Sequence, residues 1–193
     1  GIVFFVCAVI FIKTNIKTQL RLMVGILLTY WAIMTLIPVP EIGYANLEKE
    51  TNIAAWLDRL ILTESHIWKS AKTWDPEGIL STLPAIASGI FGMLIGQFLK
   101  RKDKPESDKI AWLFSFGIVA VIVGLIWDLA FPINKSLWTS SFVLYTGGLA
   151  TIGLALCYWL IDVQGYKKYT SPFLVYGVNA ITVFFASGLI PRI

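Results

Sequence analysis

Residues 110–131 read IAWLFSFGIVAVIVGLIWDLAF. This stretch holds no Lys or Arg, and as a helix it would be about 33 Å long, enough to cross a hydrocarbon core. Working outward from it, Leu22–Val39, Ile79–Leu99, Leu137–Ile161 and Pro172–Ile190 have comparable length and the same freedom from Lys and Arg. Gly1–Ile12 is apolar throughout but too short, and reads as the end of a further span. The chain is therefore expected to be all-α, a polytopic transmembrane helix bundle with five full spans and one partial one. Residues 1–193 form a single transmembrane domain in this reading, a piece of a longer protein.

Composition agrees. Of the 193 residues, 56% are hydrophobic and 15% charged, with a mean hydropathy of +0.72. A soluble domain carries about 25% charged residues, so a disordered chain, a small disulfide scaffold and a soluble enzyme are excluded. Cys7 and Cys157 sit in apolar runs, which speaks against a disulfide framework or a Cys-based metal site. The net charge of +4 comes from basic residues between apolar segments, without a continuous stripe. The expected partner is thus the lipid bilayer, not nucleic acid.

Alternate loops share one side of a membrane. Loops 13–21, 99–109 and 162–171 contain Lys13, Lys17, Arg21, Lys100, Arg101, Lys102, Lys104, Lys109, Lys167 and Lys168. The opposite set contains Lys49, Arg59, Lys69, Lys72, Lys135 and Arg192, spread over more residues. Concentration of positive charge in short loops places the first set in the cytoplasm. Loop 40–78 is then extracytoplasmic.

That loop is too long for a plain connector. Asn52 can cap a short amphipathic helix whose apolar positions Ile53, Trp56, Leu57, Leu60 and Ile61 share a face, with Asp58 and Arg59 off it. The helix would lie on the membrane surface or over the mouth of the bundle. It leads to the chain's one histidine, His66, and then to Trp74-Asp75-Pro76-Glu77-Gly78. Asp75 and Glu77 either favour the N-terminus of the following helix or meet a polar substrate. Asp128, near the end of its span, needs a partner at that depth. Lys135 is the nearest cation in sequence; the pair either pins the loop or serves a substrate. Asn134 is a candidate cap for the next span, and Asn179 a candidate for bonds between helices.

Gly89, Gly92 and Gly96, and Gly147, Gly148 and Gly153, have close-packing spacing. They serve bundle packing or line a path for a cofactor tail. The basic loop KRKDKPESDK (100–109) is an anchor on anionic lipid or a landing site for a phosphorylated cofactor. The sequence contains no Gly-rich phosphate loop, zinc spacing or nucleophile elbow.

Four strings carry a resemblance: YWAIMTLIPVP (30–40), WLDRLILTESHIWK (56–69), TWDPEGILSTLPAIASGIFGMLIGQFL (73–99) and FPINKSLWTSSFVLYTGGLA (131–150). In this order, from about Thr29 to Asn179, the chain resembles the later portion of the heparan-alpha-glucosaminide N-acetyltransferase family, above all its bacterial NagX-like members. The resemblance implies a membrane acetyltransferase that moves acetyl from cytosolic acetyl-CoA to the amine of a glucosamine-type sugar on the other side. A small-sugar transporter is the alternative. It also implies that the family's catalytic histidine lies in an N-terminal loop outside this chain. His66 matches a different family string, D-R-L-L-L-x-x-x-H-L-Y. Substrate-binding candidates are then His66, Asp75, Glu77, Asp128, Asn134, Lys135 and Asn179. Candidates for the acetyl-CoA phosphates are Lys100, Arg101, Lys102 and Lys167. A bacterial inner membrane is the expected location, and a homodimer stays open.

Overall fold

The computed structural model describes residues 1–63, 66–69 and 71–189. Ser65, Arg192 and Ile190, the expected end of the last span, lie outside the described residues. The chain divides into two compact units, residues 1–152 and residues 153 onward. Among the described residues, four helical segments are long and apolar enough to cross a membrane, and a bent pair makes up to a fifth. The protein is an all-helical membrane-integral chain.

The first unit contains α1 (Ile2–Lys13), α2 (Ile16–Leu36), α3 (Ile53–Leu62), α4 (Thr82–Leu99), α5 (Glu106–Asp128) and the first part of α6 (Ser140–Tyr158). Between α1 and α2 the chain turns on two residues. Thr14 is extended, and the Asn15 Oδ1 accepts the Thr18 amide at 2.9 Å as N-cap. Lys17 and Arg21, expected in a loop, therefore ride on the first turns of α2. Their long stems let the charge reach past the apolar zone. Pro105 opens α5, with Glu106 and Asp108 in the first turn, where the helix dipole favours acid.

Helix α4 packs against both α1 and α2. One apolar cluster, at the end bearing loop 40–78, gathers Tyr30, Met34, Val39, Ile53, Leu80, Phe131 and Leu137. A second gathers Cys7, Met23, Leu27, Ile86, Ala87, Ile90 and Val143. Polar side chains join helices inside the bundle, where water cannot serve as partner. The Ser140 hydroxyl donates to Leu27 O at 2.7 Å, and the Trp138 Nε1 to the Ser88 Oγ at 3.0 Å. Gln97 donates to the Gln19 Oε1 at 2.6 Å.

The glycines divide by role. A Cβ on Gly117 would fall 2.9 Å from Gly148 O, and one on Gly124 would fall 2.7 Å from the Tyr145 N, so α5 and α6 touch backbone to backbone. Gly89 makes room for Cys7, and Gly147 lies 3.2 Å from the Phe91 ring. Gly92, Gly96 and Gly153 face no described atom within 4 Å. Bundle packing thus uses only part of the two expected glycine rows, and it recruits Gly117 and Gly124, which lay outside them.

In the second unit, α6 runs on into a π-helical turn (Trp159–Val163). Gly165 then turns the chain at a φ of +76°. The last expected span is not one helix. α7 (Ser171–Val178) and α8 (Ala180–Leu189) meet at an angle of 79°. Asn179 is the break, and its Nδ2 donates to Val175 O at 2.8 Å, on its own helix.

Candidate functional site

The 40–78 end of the first unit is built by side chains bonding to backbone. Asn52 is fully buried. Its Oδ1 accepts the Ala54 and Ala55 amides at 2.9 and 3.0 Å. Its Nδ2 donates to Glu48 O at 2.6 Å. The cap sets α3 across the bundle with Ile53, Ala54, Ala55 and Asp58 buried, while Leu60 and Ile61 are exposed. Of the apolar positions on that helix, Ile53 is buried, Trp56 and Leu57 pack partly buried against the cluster around Tyr30, and Leu60 and Ile61 are exposed. Two alanines let α3 approach closely, and Asp58 finds a backbone donor beneath it.

Asp58 is 1% exposed, and its Oδ1 accepts the Ile79 amide at 2.9 Å. Burial pushes its carboxyl up and Asp75's charge adds to that, against the Ile79 hydrogen bond and the Arg59 guanidinium. Arg59 itself staples the loop. Its Nη1 donates to Glu50 O at 2.7 Å and to Thr73 O at 3.0 Å, and its Nη2 lies 3.4 Å from the Glu41 Oε2.

Asp75 is spent on its own turn. One carboxylate oxygen accepts the Trp68 amide at 3.1 Å and the other the Glu77 amide at 2.9 Å. α4 starts only at Thr82, three residues after the expected Ile79. Residues 75–81 instead form a corner, with the Ser81 and Thr82 hydroxyls donating to Gly78 O at 2.9 and 3.1 Å. Asp75 and Glu77 are therefore not at the first turn of α4. Glu77 is exposed and lines a cleft of about 490 Å³ with Ser81, Thr82, Ala85, Trp138 and residues 1–3. Trp138 holds a φ of +52° there, a backbone region that costs a bulky residue about 1 kcal/mol or more.

The remaining candidates at this end stand on two neighbouring turns. Asp128 Oδ1 accepts the Ile133 amide at 2.6 Å. Among the described residues it forms no ion pair with Lys135, which is exposed. Asn134 Oδ1 accepts the Ser136 amide at 2.8 Å, and its own amide donates to the Thr139 Oγ1 at 3.0 Å. Asn134 thus shapes the turn ahead of α6. His66 is exposed, with Nδ1 3.0 Å from Leu62 O at the end of α3. The structure therefore brings Glu77, Ser81 and Trp138 to one cleft. Asp58 and Asp75 share a buried pocket with Tyr30, Asn52 and Ser136. Neither is lined by His66, Asp128, Asn134 or Lys135. Asn179 belongs to the second unit.

The opposite end is different in kind. Lys100, Arg101 and Lys102 are exposed. Arg101 Nε donates to the Asp103 Oδ1 at 2.9 Å, and this bond holds the Asp103 carboxyl down to about 2. Lys109 is buried, its Nζ 3.1 Å from the Glu106 Oε1. Lys167 belongs to the second unit and is exposed.

The sequence reading gave no site role to Asp58, Trp138 or the Gln19–Gln97 pair. A signal for Asp58 exists: Ala54, Ala55 and Asp58 share a helical face, and two small residues beside an acid mark a close approach.

No family model matches the chain. Over 146 residues it is 29% identical to heparan-alpha-glucosaminide N-acetyltransferase of Homo sapiens, covering 68% of this chain and 22% of that protein. The Mus musculus protein of the same name gives the same identity and coverage. The chain spans about a fifth of the length of these curated relatives. The similarity and the resemblance carried by the four sequence strings point to the same family, over a partial region.

Proposed function

We propose that this chain is the later part of a membrane-embedded N-acetyltransferase. In this reading acetyl passes from acetyl-CoA, held at the 100–109 end, to the amine of a glucosamine-type sugar at the 40–78 end. One observation carries the reading: the 29% identity to two proteins named as N-acetyltransferases, over 68% of the chain. Over the whole reaction the thioester C–S bond is broken, an N–C bond to the amine is made and the amine's proton leaves with the CoA thiol, whether acetyl moves directly or by way of an acetyl-enzyme intermediate. The amine must be deprotonated to attack.

Within the chain, Glu77 suits the acceptor. Glu77 lines a cleft together with Trp138, Ser81 and Thr82. A carboxylate attracts an ammonium, an indole covers the apolar face of a sugar ring, and hydroxyls match hydroxyls. Lys100 and Lys102 suit the phosphates of the donor, because their ammonium groups are exposed at the opposite end. The location proposed is a bacterial inner membrane with residues 100–109 in the cytoplasm.

The test is incubation of the full-length protein with acetyl-CoA and glucosamine, reading N-acetylglucosamine by mass. Product at a rate proportional to protein is expected. Its absence, with the protein folded and acetyl-CoA intact, overturns the reading. The 79° break at Asn179 favours a second reading, a sugar transporter, because broken helices mark transport sites. Unmodified glucosamine entering proteoliposomes without acetyl-CoA would establish that one.

A further inference from the structure

The corner at residues 75–81 is held from beneath by a residue to which the proposed function gives no part. Asp58 comes from α3, about twenty residues upstream, and is 1% exposed. Its Oδ1 takes the Ile79 amide at 2.9 Å. Its carboxylate also lies in a notch that exists because residue 78 is glycine: a Cβ there would fall 2.7 Å from the Asp58 Cγ and 2.8 Å from its Oδ1. A cavity of about 10 Å³ beside it, lined by Tyr30, Asn52, Ser81 and Ser136 among others, has room for one water. A buried carboxylate is costly unless its oxygens are used. Here one oxygen is used by the corner itself.

We propose that Asp58 is a positioning residue: seated in the Gly78 notch and bonded to the Ile79 amide, it fixes the 75–81 corner against α3 and so sets where Glu77 stands in its cleft. The link is short. Ile79 is two residues from Glu77, and the Gly78 amide donates to Asp75 O at 3.2 Å, while Asp75 holds the Glu77 amide. Any shift of Ile79 is passed to Glu77 through this closed turn. The inference about Asp58 and Gly78 stands on geometry alone; its consequence for the acceptor rests on the proposed function.

The test is a mutant cycle in the full-length protein: Asp58→Ala, Gly78→Ala, the double variant, and Asp58→Asn. Gly78→Ala should lower the melting temperature, because its methyl overlaps the carboxylate, and Asp58→Ala should lower it by leaving the Ile79 amide without its acceptor. In the double variant the new methyl enters space that Asp58 has vacated, so it should melt no lower than the worse single variant. Asp58→Asn keeps an acceptor of the same shape and should stay near wild type. With acetyl transfer as readout, each single alanine variant should raise KM for glucosamine about tenfold, equivalent to about 1.4 kcal/mol, with kcat changed far less. Asp58→Asn should stay within about twofold. Additive losses in the double variant overturn the proposal, as does an Asp58→Asn variant as damaged as Asp58→Ala. If Asp58→Ala does not accumulate, Asp58→Ser replaces it with the same expected non-additivity. The melting cycle needs no turnover, so failure of the acetyltransferase reading leaves this result readable.

Discussion

The two ends of the first unit use polar residues in opposite ways. At the 40–78 end, carboxylates and amides are folded onto backbone. Asn52 caps α3, Asp58 holds Ile79, Asp75 holds Trp68 and Glu77, and Asp128 holds Ile133. At the 100–109 end, Lys100, Arg101 and Lys102 are exposed and charges pair with neighbours in sequence, as Arg101 does with Asp103 and the buried Lys109 with Glu106. The difference separates two kinds of site. The first end has a preformed shape, suited to recognising a molecule by geometry. The second presents mostly exposed charge with little shape around it, suited to holding a phosphate or a headgroup by attraction alone.

This contrast predicts a ranked set of effects. The largest belongs to Tyr30, fully buried, whose hydroxyl donates to Leu137 O at 2.6 Å. Tyr30→Phe leaves that carbonyl without its donor and should cost about 1–3 kcal/mol. The melting temperature in detergent should fall by about 2–4 °C per kcal/mol. An unchanged value would remove Tyr30 from the frame of this end. Asp128 comes next. Asp128→Ala should cost about 1 kcal/mol through the lost Ile133 bond, while Asp128→Asn recovers most of it. Equal losses in both would show that charge, not turn geometry, is what Asp128 supplies.

A third effect depends on pH. Tyr30 from α2, Asp75, Arg59 and Lys49 surround Asp58, whose folded carboxyl is raised above its unfolded value. A raised group binds its proton more tightly in the fold, so its contribution is full in acid and is lost as pH climbs through the raised value. Asp58→Asn, which has no proton to lose, should therefore gain on wild type in melting temperature between acid and neutral pH. A gap that stays constant or narrows would contradict the sign. The smallest effect belongs to the solvated end. Arg101→Gln and Asp103→Asn should leave the melting temperature unchanged. Lys100→Gln with Lys102→Gln should weaken CoA binding at low salt and lose that effect at high salt. Weakening independent of salt would mean a shaped pocket at this end and would erase the contrast.

The spans were legible in the sequence because a run of about twenty apolar residues has few other uses. Their ends were less so. Lys17 and Arg21 read as loop residues, yet Asn15 caps ahead of them and the helix tolerates their snorkelling stems. Asp75 and Glu77 were candidates for the N-terminus of the next helix, yet Asp75 closes a separate turn and α4 starts only at Thr82. Asn179 read as a mid-span residue, and it is where the span breaks. The apolar stripe of α3 was legible, but which of its positions the bundle covers was not: Ile53 is buried while Leu60 and Ile61 are exposed. The small-residue face that Asp58 shares with Ala54 and Ala55 marks a close approach, but its partner, a backbone amide about twenty residues away, leaves no mark in the pattern of side chains.

The contrast between the ends is tested most directly by a sided assay. The full-length protein is sealed in proteoliposomes of uniform orientation, with acetyl-CoA on the 100–109 side and glucosamine on the 40–78 side. N-acetylglucosamine should form on the 40–78 side, and placing both substrates there should abolish it. Equal product with both substrates on one side would show that the two ends do not divide donor from acceptor, and would contradict the functional contrast drawn between them.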